Sequence, residues 1–163
     1  MQTVTLVLSA VVACFAVLQW WVYRSQFRLS LYCRRYEVYL AVRKFLTSVV
    51  TSRDAKDSEV NAFLVGTREH EFLFPRPIAT YLDEIHKKAV DFQMVKFKGD
   101  ALALDLQMVK FKGEAVPVGT EREQNVEEQG RFFEWFEAEH KDGAFQRFLP
   151  YLDFRNVGGR WKT

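Results

Sequence analysis

Gln2 to Tyr23 is a run of 22 residues without a formal charge, and no other feature of this chain restricts its fold as strongly. As a helix at 1.5 Å per residue, the run reaches roughly 33 Å, about the thickness of a bilayer's hydrocarbon core. It contains Val4, Leu6, Val7, Leu8, Val11, Val12, Phe15, Val17 and Leu18, and it closes on Trp20, Trp21 and Tyr23 before Arg24. Amphipathic rings followed by a cation are the pattern of a helix leaving a membrane. The expectation is therefore a transmembrane helix over 1–23, with Trp20, Trp21 and Tyr23 as interface anchors. Because Arg24, Arg28, Arg34 and Arg35 all follow the helix, the positive-inside bias puts the N-terminus out and the rest in the cytoplasm. A cleaved signal peptide would need a basic start and a small-residue cleavage site, and neither is present. Ser9 and Ala13, four residues apart, are the expected packing positions for a second membrane helix.

The next segment, 24–56, carries eight cations against Glu37 and Asp54, a net charge of +6 in a chain whose total is only +2. Within it Leu31, Val38, Val42, Phe45 and Val49 recur at helical spacing, widened by Tyr32, Tyr39 and Leu46. This reads as a basic amphipathic helix running to about Thr51, with Arg24, Arg28, Arg34 and Arg35 as candidate contacts for anionic lipid. Nucleic acid is not an expected partner, since the total charge is nearly balanced and the apolar stripe claims much of the helix surface.

The remainder, 57–155, reads as a helical domain followed by a flexible tail at 156–163. Asp57 or Ser58 can cap a helix bearing Val60, Phe63, Leu64 and Thr67, which must stop before Pro75. Pro77 suits the first turn of another, bearing Ile78, Tyr81, Leu82, Ile85, Ala89 and Phe92. A near-repeat follows: Phe92-Gln93-Met94-Val95-Lys96-Phe97-Lys98-Gly99 returns 14 residues later as Leu106-Gln107-Met108-Val109-Lys110-Phe111-Lys112-Gly113. Fourteen residues are two heptads, which favours a helix with a break near Gly113. The alternation around Leu102, Leu104, Leu106 and Met108 leaves a short hairpin around 94–112 as the competing reading. Thr120-Glu121-Arg122-Glu123 is a capping box opening a last helix with Val126, Phe132, Phe133, Trp135 and Phe136, expected to end around Gly143. The fold class is all-α, the N-terminal transmembrane helix continuing into a cytoplasmic antiparallel bundle.

Residues Arg35 to Val42, Thr67-Arg68-Glu69 with Phe72-Leu73-Phe74, Tyr81 to Ile85, Pro117-Val118-Gly119 and Phe148 to Phe154 make the chain similar to a group of small, uncharacterised bacterial proteins. Those proteins join one membrane helix to a cytoplasmic helical domain. The resemblance implies an all-helical fold at a bacterial inner membrane and carries no activity with it.

Chemistry is hard to find. His70, His86 and His140 form no i, i+4 metal pair, and Asp83 and Glu84 are adjacent, so a helix points them apart. Phosphate loops and serine-nucleophile signatures are absent. No cofactor, metal or catalytic residue is assigned. What stands out is the 15% aromatic content, with Phe72, Phe74, Phe132 and Trp135 as candidate docking residues. The expected function is an accessory or scaffold subunit of an inner-membrane complex. The alternative is a peripheral lipid or membrane-stress sensor acting as a homo-oligomer. The corresponding partners are membrane lipid and either another membrane protein or a second copy.

Overall fold

The computed structural model describes residues 2–112 and 120–153; the side chains of 2–10, 105, 106, 108–112 and 120 are outside that description. Helix α1 (Gln2–Ser52) is followed by α2 (Asp57–Thr67), the single turn α3 (His70–Leu73), α4 (Arg76–Lys112) and α5 (Thr120–Ala138). A π-helical turn (Glu139–Gly143) then leads directly into α6 (Ala144–Leu152). Among the described residues there is no strand, so the hairpin reading of 94–112 gives way to helix. The break expected near Gly113 falls on residues outside those described.

The second half of α1 is the central element of the bundle. Val38, Val42, Phe45, Leu46 and Val49 are all buried, following the stripe read from the sequence. α2 runs antiparallel to it, since Phe63 packs on Phe45 while Gly66 lies against Ala41. At Gly66 an added Cβ would come within 2.7 Å of the Ala41 Cβ, so the two helices approach this closely only because residue 66 has no side chain. α4 contributes Ile78, Tyr81, Leu82, Ile85, Ala89 and Phe92 at helical spacing, and α5 runs back along it through Phe136 and Phe132 against Phe92. Phe148 of α6 closes the core between Tyr39, Phe74 and Tyr81.

The connection after α1 is tied down by the first copy of the near-repeat. Gln93 Nε2 donates to Ala55 O and, at 2.8 Å, to Asp57 Oδ1, and Lys96 Nζ sits 2.8 Å from Asp54 Oδ1. These polar bonds alternate with the buried Phe92 and Val95, so about one turn of α4 both fills the core and holds a loop.

Two expectations are corrected. The last helix does not end at Gly143, because the chain stays helical through the π turn into α6. In an ordinary α-helix the eight residues from Phe136 to Ala144 would turn a side chain about 80° off its starting face. The wider π turn absorbs that angle, so Phe136, Ala144 and Phe148 all point inward. The second correction concerns the membrane: among the described residues, no helix is long and apolar enough to cross one. The transmembrane helix expected over 1–23 is overturned. Lack of charge is a weaker property than apolarity. Thr3, Thr5, Ser9 and Gln19 interrupt the run, Trp20, Trp21 and Tyr23 carry polar atoms, and Arg24 and Arg28 follow within a few turns.

Candidate functional site

Two places collect the polar and aromatic groups that could carry a function. The first is buried, around the π turn. Glu139 is largely withdrawn from solvent, and its Oε2 accepts a 2.8 Å hydrogen bond from the Tyr81 hydroxyl. Its Oε1 accepts from Arg147 Nη2 at 3.3 Å, and the Arg147 guanidinium in turn lies 4.4 Å from the centroid of the Tyr81 ring. Burial first, and then the bond to the Glu139 carboxylate, push the Tyr81 hydroxyl far above the ordinary phenol range. On the neighbouring turn Arg43 Nη1 donates to His140 O at 3.1 Å, and Thr47 Oγ1 lies 3.1 Å from His140 Nε2. Both carboxylate oxygens of Glu139 are engaged and the tyrosine is held protonated, so the cluster works as a lock between α4, the π turn and α6. Sequence reasoning missed Glu139 and Arg147. The available signal was a carboxylate three residues after Phe136 and seven after Phe132, on the apolar face of α5.

The second place is the outer part of α1. From Val11 to Ser30 every described side chain except Arg28 is exposed, which makes a rod of about 30 Å standing clear of the bundle. Val12, Phe15, Val17, Leu18, Trp20, Trp21, Tyr23 and Phe27 are more than half exposed, Trp21 by 71%. Ala13 is exposed within this arm, whereas the Ser9 side chain lies outside the described residues. The Arg24 guanidinium stands 5.3 Å from the Trp20 ring centroid. One face of the arm forms a cleft of about 210 Å³ lined by Trp21, Arg24, Ser25 and Arg28.

The structure divides the four arginines expected to touch lipid. Arg34 lies 3.7 Å from Glu69 and 4.0 Å from Glu37, and it is still exposed. Arg35 is only 6% exposed; its Nε donates to Leu73 O at 2.9 Å and its guanidinium lies 5.8 Å from the Phe74 ring, so it belongs to the core rather than to a lipid-facing surface. Burial lowers the Arg35 pKa from the ordinary guanidinium value, the direction expected of a cation withdrawn from water. Arg24 and Arg28 form no ion pair among the described residues, and no acid precedes Glu37 in the chain.

The aromatic docking candidates divide in the same way. Phe74 is buried against Phe148 and Tyr151, and is corrected from docking residue to core. Phe132 and Trp135 are partly buried against the core, with Lys88 over both rings. Phe72 alone of the four is nearly free, at 89% exposed. Among the described residues no three His, Cys, Asp or Glu side chains converge as a metal site would require.

No family model matches the chain, and neither a curated protein nor a solved structure is detectably similar to it.

Proposed function

We propose that this chain is a peripheral lipid-surface protein, in which the exposed arm of α1 engages an anionic membrane surface and the helical bundle is the body held there. The observation that carries the reading is the arm itself: exposed aliphatic residues, then Trp20, Trp21 and Tyr23, then Arg24 and Arg28 with no acid nearby. Aliphatic side chains favour the acyl boundary, indole and phenol rings favour the headgroup level, and cations favour anionic phosphate. All three kinds of side chain are exposed on one helix. Docking of a protein subunit on the bundle has less to rest on, because Phe74 is core and Phe132 and Trp135 are already packed against it.

The test is co-sedimentation of the full chain with phosphatidylcholine vesicles, with and without phosphatidylglycerol. Binding to the anionic vesicles that weakens with added salt supports the proposal. The double variant W20S/W21S should bind at least about tenfold more weakly, from the loss of two buried rings. Its bundle should unfold at an unchanged urea concentration. Absence of binding to either vesicle overturns the proposal.

A further inference from the structure

We infer that the cleft formed by Trp21, Arg24, Ser25 and Arg28 is a seat for the phosphate of a phospholipid headgroup; this rests on the lipid-surface reading above. Positions 21, 24, 25 and 28 are spaced by three and four residues and therefore share one face of α1. Arg24, Ser25 and Arg28 line the cleft together and bring two cations and a hydroxyl donor to it, and a guanidinium fork fits phosphate better than a point charge does. The Trp20 ring beneath Arg24 restricts that guanidinium before any ligand arrives. Trp21 supplies the apolar wall that the glycerol and first acyl carbons of a lipid require and that a free phosphate does not.

The other two arginines of the stretch are committed elsewhere, Arg34 beside Glu37 and Glu69 and Arg35 to Leu73 O.

The experiment compares the full chain with R24K/R28K, which keeps both charges but removes both forks, and with K87Q/K98Q, which removes two exposed charges from the bundle. Each is titrated with phosphatidylglycerol-containing vesicles, and circular dichroism checks that helix content is retained. The seat predicts about a tenfold loss of affinity for R24K/R28K and less than about a threefold loss for K87Q/K98Q. It also predicts that about 10 mM inorganic phosphate, in an ionic-strength-matched buffer, leaves vesicle binding unchanged. If R24K/R28K binds as the unaltered chain does, attraction is diffuse and the seat is overturned, while the lipid-surface reading stands. If inorganic phosphate displaces the chain from the vesicles, the seat serves a soluble phosphate and the lipid assignment is overturned. If the unaltered chain binds no vesicle, the lipid-surface reading itself fails.

Discussion

Tyr81 shows how one hydroxyl ties a buried carboxylate to the core. Y81F keeps the ring that packs on Phe148 but leaves Glu139 Oε2 without its donor. The expected cost is about 1–3 kcal/mol near neutral pH, read from the urea midpoint. The pH dependence has a definite sign. The Tyr81 pKa is raised in the folded chain, so the folded state keeps a proton that the unfolded state releases above the ordinary phenol value near 10. Its stabilisation is present below that pH and is lost above it. The unaltered chain should therefore lose stability more steeply than Y81F between about pH 10 and pH 12. Equal slopes would remove Tyr81 as the cause. Arg35 and Arg28 make a second contrast. R35A should cost about 2–3 kcal/mol of stability, because a buried charge-assisted bond and its packing are removed, whereas R28A should leave stability within about 0.5 kcal/mol. In the proposed function the order reverses for vesicle affinity, with R28A weaker and R35A near normal once folded. The sequence presented both as cations of one basic stretch. The neighbours that the fold brings to Arg35, among them Leu73 O from 38 residues away and the Phe74 ring, separate the two.

At the level of elements, close approach and helix geometry decide what periodicity alone leaves open. Gly66 lies inside helix α2, and in the bundle a Cβ there would meet the Ala41 Cβ of α1 at 2.7 Å. G66A should destabilise despite alanine's better helix propensity, since overpacking costs about 1–3 kcal/mol and the propensity gain is about 1 kcal/mol at most. A lower thermal midpoint checks this, and a raised one would show that the helices can part without loss. Gly143 makes the same point at the π turn, where a Cβ would collide with the Glu139 carboxylate. The sequence suggested a C-terminal cap there because glycine usually follows a helix's last turn. The space that Glu139 needs gives the glycine a different role, one set by a side chain four residues earlier. The stripe on α1 and the apolar positions of α4 were legible because their spacing is 3.6-periodic over many residues. The step from Phe136 to Ala144 was not, because a π turn breaks that period.

Taken whole, the molecule is a packed bundle with one long exposed arm. The bundle's core runs from Val38 to Phe148, and the arm shares none of it. Substitutions in the arm should therefore leave unfolding unchanged while altering association, and core substitutions should do the reverse. L46A, at a fully buried position, is expected to cost about 2–5 kcal/mol in urea unfolding. W20S/W21S should leave that midpoint where it is, and a shift would mean that the arm folds back on the bundle. Vesicle affinity should also fall steeply with ionic strength, because the arm's two unpaired arginines are screened by salt.

The sequence by itself determined the all-helical class, the inward stripe of α1 and the basic, aromatic-rich character of the arm. Each of these is a property of local spacing and composition. What it did not determine was which polar groups are spent inside the fold. Phe74, Arg35, Glu139 and Tyr81 took their roles from partners far along the chain, and the bond between Tyr81 and Glu139 crosses 58 residues. The uncharged N-terminal run likewise suggested more than it contained, since freedom from charge is counted residue by residue while the cost of crossing a membrane sums over every polar atom in the span. Tertiary structure decided these points because burial, not residue type, sets what a charge or an aromatic ring is worth.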